Sequence, residues 1–89
     1  TAVALADVLA GLARTHQVIV VTHLAQVAVR GQAHYVVRKA AGDEGAMPET
    51  DLRQLPESER PAEIARMLSG DATETSLAHA REMLARAAG

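Results

Sequence analysis

The stretch VIVVTHLAQVA, residues 18–28, decides how the chain is put together. Val18, Ile19, Val20 and Val21 follow one another directly, with Thr22 behind them. β-Branched side chains favour extended backbone. The run does not alternate polar with apolar, and a strand without alternation is one covered on both faces, as in parallel sheets. The pattern predicts a buried strand over 18–22. It ends on His23 rather than on a turn residue such as Gly, Asn or Asp. A histidine there is either a cap for the next helix or a side chain held out towards a ligand. In open α/β sheets, ligands bind outside the carboxyl ends of strands. An imidazole at such a place can donate to a phosphate oxygen or hold an attacking water.

On the N-terminal side, residues 1–14 read as an amphipathic helix. Leu5, Val8, Leu9 and Leu12 recur on a 3.6-residue period, with only Thr1 placed to cap the helix. RTHQ (14–17) is a short polar connection. A helix, a short loop and an apolar strand make the second half of a βαβ crossover whose first strand is missing. The absent starting Met and the helix at the first residue suggest a piece cut from something longer.

On the C-terminal side, LAQVAVR (24–30) predicts a short helix ended by Gly31. HYVVRK (34–39) and TDLRQL (50–55) predict a hairpin whose second strand is a half-exposed edge. AAGDEGAMPE (40–49) between them is a loop loose enough to be mobile, and Asp43, Glu44 and Glu49 make it acidic and solvated. Ser58 is positioned to cap the next helix, with Pro61 in its first turn and Gly70 at its end. Ile64, Met67 and Leu68 form its apolar side, and Arg60 and Arg66 are expected to pair with Glu63 and Glu59 on its surface. Asp71 and Glu74 are spaced as a capping box for a last helix over 72–87, whose inner face is Leu77, Ala80, Leu84 and Ala87. Met67 and Met83 read as core fillers. No internal repeat is visible.

Composition narrows the function classes. With 89 residues the chain makes one domain at most. A unit this small buries roughly 60–65% of its unfolded surface. Tyr35 is the only aromatic residue, and most of the 48% apolar fraction is Ala, Val and Leu, so a free-standing fold is expected to be marginal. The net charge is −2 and the nine basic residues form no block. Together with the lack of aromatics this argues against a nucleic-acid grip in the chain itself. The absence of cysteine excludes disulfides and thiolate metal sites and fits a reducing compartment. His16, His23, His34 and His79 contain no pair at i, i+3 or i+4, so no metal is expected. His16 and His34 read as exposed loop or strand-end residues. No apolar run reaches the roughly 20 residues of a membrane span. The first residues lack the basic stretch of a signal peptide.

Beside His23, two residues are candidates for the same site. Thr22 can contact phosphate or water, or simply satisfy the strand end. Gln26 lies one helical turn beyond His23 and can face the same cleft.

Taken in order, VIVVTHLAQVA, HYVVRK, RPAEIARMLSG and SLAHAREML resemble the C-terminal end of the RecN family, over nearly the whole chain and at about the family's spacing. RecN proteins are bacterial double-strand-break repair proteins, SMC-like members of the ATP-binding-cassette ATPases. The segment VTHLAQVA resembles the family's H-loop, and transporter cassettes typically carry an acidic residue where Leu24 stands. Two departures are Ala25, where many relatives have Pro, and Ser69-Gly70, where many have a Gly pair.

The resemblance implies that His23 is the switch histidine that reaches the γ-phosphate of ATP and helps order the attacking water. It implies an α/β fold, the C-terminal fragment of a P-loop (ABC-type) ATPase head, ordered helix–strand–short helix–β-hairpin–two helices. Residues 1–89 would then be one part of that head, without its Walker A, signature or Walker B motifs. No G-x-x-x-x-G-K-[ST] loop is present, so the segment by itself is expected neither to bind ATP tightly nor to hydrolyse it. In the intact parent the resemblance implies ATP with Mg2+ as cofactor. The implied partners are the upstream rest of the head, a second head on ATP-driven dimerisation, and DNA through the full protein. It also implies a cytoplasmic location, on the nucleoid after DNA damage, and no membrane. Two rivals stand beside this reading. One is a free-standing α/β interaction domain that binds a partner helix; the other is the end of a transporter-type cassette.

Overall fold

The last two helices build the core, and their sequence says why. In the computed structural model, which describes residues 1–39 and 50–89, α3 spans Arg60–Ser69 and α4 spans Glu74–Ala88. Pro61 stands in the first turn of α3, where its missing N–H costs nothing. Gly70 ends the helix at φ 84, a left-handed conformation that favours glycine, and its N–H donates to the Arg66 carbonyl at 2.7 Å. Ile64 and Ala65 are fully buried against Ala80 of α4 and against Ala25 and Val29. Met67, Leu68, Leu77, Met83, Leu84 and Ala87 pack around them, so the expected inner faces of both helices are found.

The helix starts differ from expectation. No side chain caps α3: Glu59, already helical, holds the cap position, and a 3-10 turn over Glu57–Glu59 runs into the helix. The Arg60 N–H donates to the Glu57 carbonyl, so the turn takes up part of the work expected of Ser58. The capping box of α4 is made by Thr73 and Ser76, not by Asp71 and Glu74. Ser76 N–H donates to Thr73 Oγ1 at 3.1 Å and Thr73 N–H to Ser76 Oγ at 2.8 Å. Asp71 acts through its backbone instead: its carbonyl accepts from Ser69 Oγ at 2.7 Å, which closes the turn between the helices.

The N-terminal half is thinner. Helix α1 spans Ala2–Leu12 and is capped by Thr1, whose Oγ1 accepts from Ala4 N–H at 3.2 Å. Its apolar stripe is largely bare. Leu5, Val8 and Leu12 are exposed, and only Ala6 is buried, because the element beside it, α2, is a single turn over Ala25–Ala28. Arg30 forms an ion pair with Asp7 that ties the end of α2 to α1.

The strands show the largest departure. β1 (Tyr35–Lys39) and β2 (Thr50–Gln54) pair antiparallel with Val37 opposite Leu52, as the hairpin reading requires. This is the sheet among the described residues, and residues 18–22 are not in it. The expected buried strand instead leaves Ile19 at 85% and Val21 at 95% exposure. A strand covered on both faces needs paired neighbours and flanking helices, and the described residues offer the run none. For the same reason β2, expected half-exposed, is exposed along its length, and Tyr35, Val37 and Leu52 face outward. The loop reading of 40–49, with Asp43, Glu44 and Glu49, lies outside the described residues. The molecule is thus a small mixed helix–strand unit with a two-stranded antiparallel sheet, its core gathered at α2, α3 and α4.

Candidate functional site

Thr22 sets the geometry around His23. Its Oγ1 accepts from the Leu24 N–H at 3.0 Å, a local side-chain turn that ends the apolar run and steers the chain into α2. This is the strand-end role weighed for Thr22 in the sequence, although the run itself is unpaired. Leu24 holds the N-cap position of α2 in an extended conformation, and its carbonyl accepts from Val27 and Ala28. The cap is therefore not His23. The imidazole is exposed and has no hydrogen-bond partner among the described residues. Gln26 is exposed on α2 and lines a shallow cleft with Val3, Ala6, Arg30 and Met83, which neither Thr22 nor His23 lines. The structure joins Thr22 and His23 in one turn and sets Gln26 on a different surface.

What holds α2 in place was not legible in the sequence. Arg60, expected on the surface, is 6% exposed. One terminal nitrogen, Nη2, donates to the Gly31 carbonyl at 2.9 Å and to the Ala28 carbonyl at 3.3 Å. Nη1 stands 3.5 Å from the Glu57 carboxylate, while Glu59 faces Arg53 and Glu63 pairs with Arg66 at 2.6 Å. A clue was available. A cation in the first turn of a helix sits at the wrong end of the helix dipole. Such a residue is better explained by carbonyls it reaches elsewhere.

His34 also departs from expectation. It is half-buried, and its Nδ1 has no hydrogen-bond partner among the described residues. Burial lowers its pKa below 6.5; the Arg60 charge adds to that, and Glu63 opposes it. The unfolded chain then takes up the proton first. The stability carried by neutral His34 is whole above about 6.5 and is lost as the pH falls through the lowered value. We expect the His34 ring resonance to titrate with a midpoint below 6.5 by NMR; a midpoint at or above it contradicts the buried setting. His16, by contrast, is exposed as expected, with its Nδ1 2.9 Å from Thr15 Oγ1. No group of three potential metal-binding side chains occurs among the described residues.

No family model matches the chain. The DNA repair protein RecN of Deinococcus radiodurans is 51% identical over 84 residues, which is 94% of this chain and 14% of that protein. RecN of Mycobacterium leprae is 54% identical over 77 residues, covering 85% of the chain and 12% of the relative. RecN of Treponema pallidum is 41% identical over 85 residues, with coverage of 94% and 14%. The chain thus spans about one seventh of the curated relatives it matches. Identity at this level over almost all of the 89 residues carries the resemblance of the His23 turn and the two closing helices: the chain is a C-terminal segment of the RecN family.

Proposed function

We propose that this segment completes the ATP-hydrolysing head of a DNA repair protein, and that His23 is the side chain it delivers to the nucleotide. The relatives are named DNA repair proteins, and the segment shares half of its residues with them. The observation that carries the catalytic part is the apolar run 18–21, exposed at Ile19, Val20 and Val21, which leads through Thr22 to an exposed imidazole with no hydrogen-bond partner among the described residues. A run of this kind is suited to a larger parallel sheet, and a histidine just past its carboxyl end then borders the ligand crevice.

The chemistry of the chain fits one role there. Phosphoryl transfer needs a phosphate cradle, a metal site and a group that orients the attacking water. This chain has no phosphate-binding loop, so ATP with Mg2+ is held chiefly by other parts of the full protein. His23 supplies a ring N–H for a γ-phosphate oxygen, or an acceptor for the water. Thr22 holds the turn, and Gln26 is left as a weaker candidate for nucleotide contact. The rest of the head covers residues 18–21, a second head closes over the nucleotide, and DNA is engaged elsewhere in the protein. The described helices include none long and apolar enough to cross a membrane. The test is ATP turnover by the full-length RecN protein that carries this segment, before and after replacement of His23. Unchanged turnover overturns the catalytic assignment.

A further inference from the structure

We propose that Arg60 is a positioning residue for His23: it clamps the far end of α2, and α2 holds the histidine turn. The inference rests on the catalytic reading of His23.

The physical chain is continuous. Four residues cannot sustain a helix by themselves, because the cost of nucleation is spread over too few hydrogen bonds. Two things hold α2. One is apolar contact, in which Ala25 and Val29 pack against Ile64, Ala65 and Ala80. The other is Arg60, a buried charged side chain that meets the carbonyl of Ala28, the last residue of α2, and that of Gly31 in the turn beyond it. The Ala28 carbonyl also accepts from the Gly31 N–H at 3.1 Å, and carbonyls at a helix C-terminus carry partial negative charge, so the buried guanidinium adds a second, charge-assisted donor there. At the other end, Leu24 caps α2, and its N–H is held by Thr22, the neighbour of His23. One short, rigid element therefore lies between the two residues. Apolar packing sets the distance of α2 from α3 but tolerates sliding and rotation. Two directed hydrogen bonds from one nitrogen restrict both.

This arrangement calls for three variants in the full-length protein: Arg60→Met, Arg60→Lys and the pair Arg60→Met with His23→Ala. Arg60→Met keeps the length of the stem and removes the donors. We expect it to lower kcat for ATP about tenfold, with KM changed less than threefold, since the substrate-binding parts lie elsewhere. Arg60→Lys keeps the charge but loses the fork that reaches Glu57 as well, and should recover part of that loss. The decisive reading is the cycle. If Arg60 works through His23, then in the His23→Ala background Arg60→Met costs less than a further twofold. Equal tenfold losses in both backgrounds mean a general structural role and overturn the proposal. So does full kcat in Arg60→Met when His23→Ala is slow. No effect of His23→Ala removes the underlying catalytic reading instead, so the two failures are distinguishable. If Arg60→Met does not fold, as judged by circular dichroism, the same cycle run with Arg60→Lys decides the question by the same criterion.

Discussion

His23→Ala in the full-length RecN protein is expected to lower ATP turnover by about 100-fold or more and to leave nucleotide affinity within a few-fold of the parent. The size follows from what a positioned group contributes when it orients the attacking water or meets charge developing on phosphate, about 100-fold to 1,000-fold. A 100-fold loss corresponds to about 2.7 kcal/mol of transition-state stabilisation. Affinity should be spared, because on the proposed reading ground-state binding rests on a phosphate cradle and metal held outside this chain, which has no phosphate-binding loop. Stability is spared too, since the imidazole is exposed and bonded to none of the described residues. The variant should therefore fold, bind ATP and stall. Steady-state turnover beside a fluorescent-nucleotide titration measures both halves. A matched loss of affinity and rate would place His23 in binding rather than in the hydrolytic step.

Ile64→Ala removes about 3 kcal/mol or more of the segment's stability. Loss of a large buried aliphatic side chain costs roughly 2–5 kcal/mol, rising with the cavity left behind. Ile64 is fully buried among Ala25, Val29, Ala65 and Ala80, which are too short to fill the gap, and the Met and Leu side chains packed around that cluster can take up only part of it. An 89-residue unit with few aromatics sits low in the usual range of about 5–15 kcal/mol, so most of its stability goes with this one residue. Urea unfolding followed by circular dichroism reads the change, and an unaltered midpoint would mean that α3 and α4 are not what hold the unit together. Val21→Asp is the contrast. At 95% exposure it should shift the isolated chain by less than about 0.5 kcal/mol. In the full-length protein it should abolish ATP turnover, because the carboxylate would be forced into a sheet covered on both faces.

The sequence carried the helices well and the apolar run only halfway. Helices α3 and α4 make their contacts with each other, so their periodicity, Gly70 and the inward positions Ile64 and Ala80 were enough to describe them. Their caps were displaced because several neighbouring residues compete to satisfy the same N–H groups. Thr73 with Ser76 takes the role that the spacing of Asp71 and Glu74 suggested, and a 3-10 turn takes that of Ser58. The pattern of residues 18–21 states what those residues need, which is burial on both sides. Among the described residues that need is unmet, so the run forms no strand and is left largely exposed. For the candidate site, His23 and Thr22 are proposed from their position after that run and from the family resemblance. Arg60 was missed because its partners are main-chain carbonyls, which leave no mark in a pattern of side-chain types. His34 was missed for a related reason: it lies beside Arg60 only once α3 is docked.

The bare run has a consequence for the segment in isolation. Residues 18–22 carry no charge and no proline, and their amide edges are free of any described sheet. Such an edge recruits its like: two copies meeting there add strand to strand, and each added copy offers the next a fresh edge. Expressed without the remainder of its protein, the segment is expected to precipitate as fibrous aggregate, and its solubility would then report whether that stretch has found its proper cover.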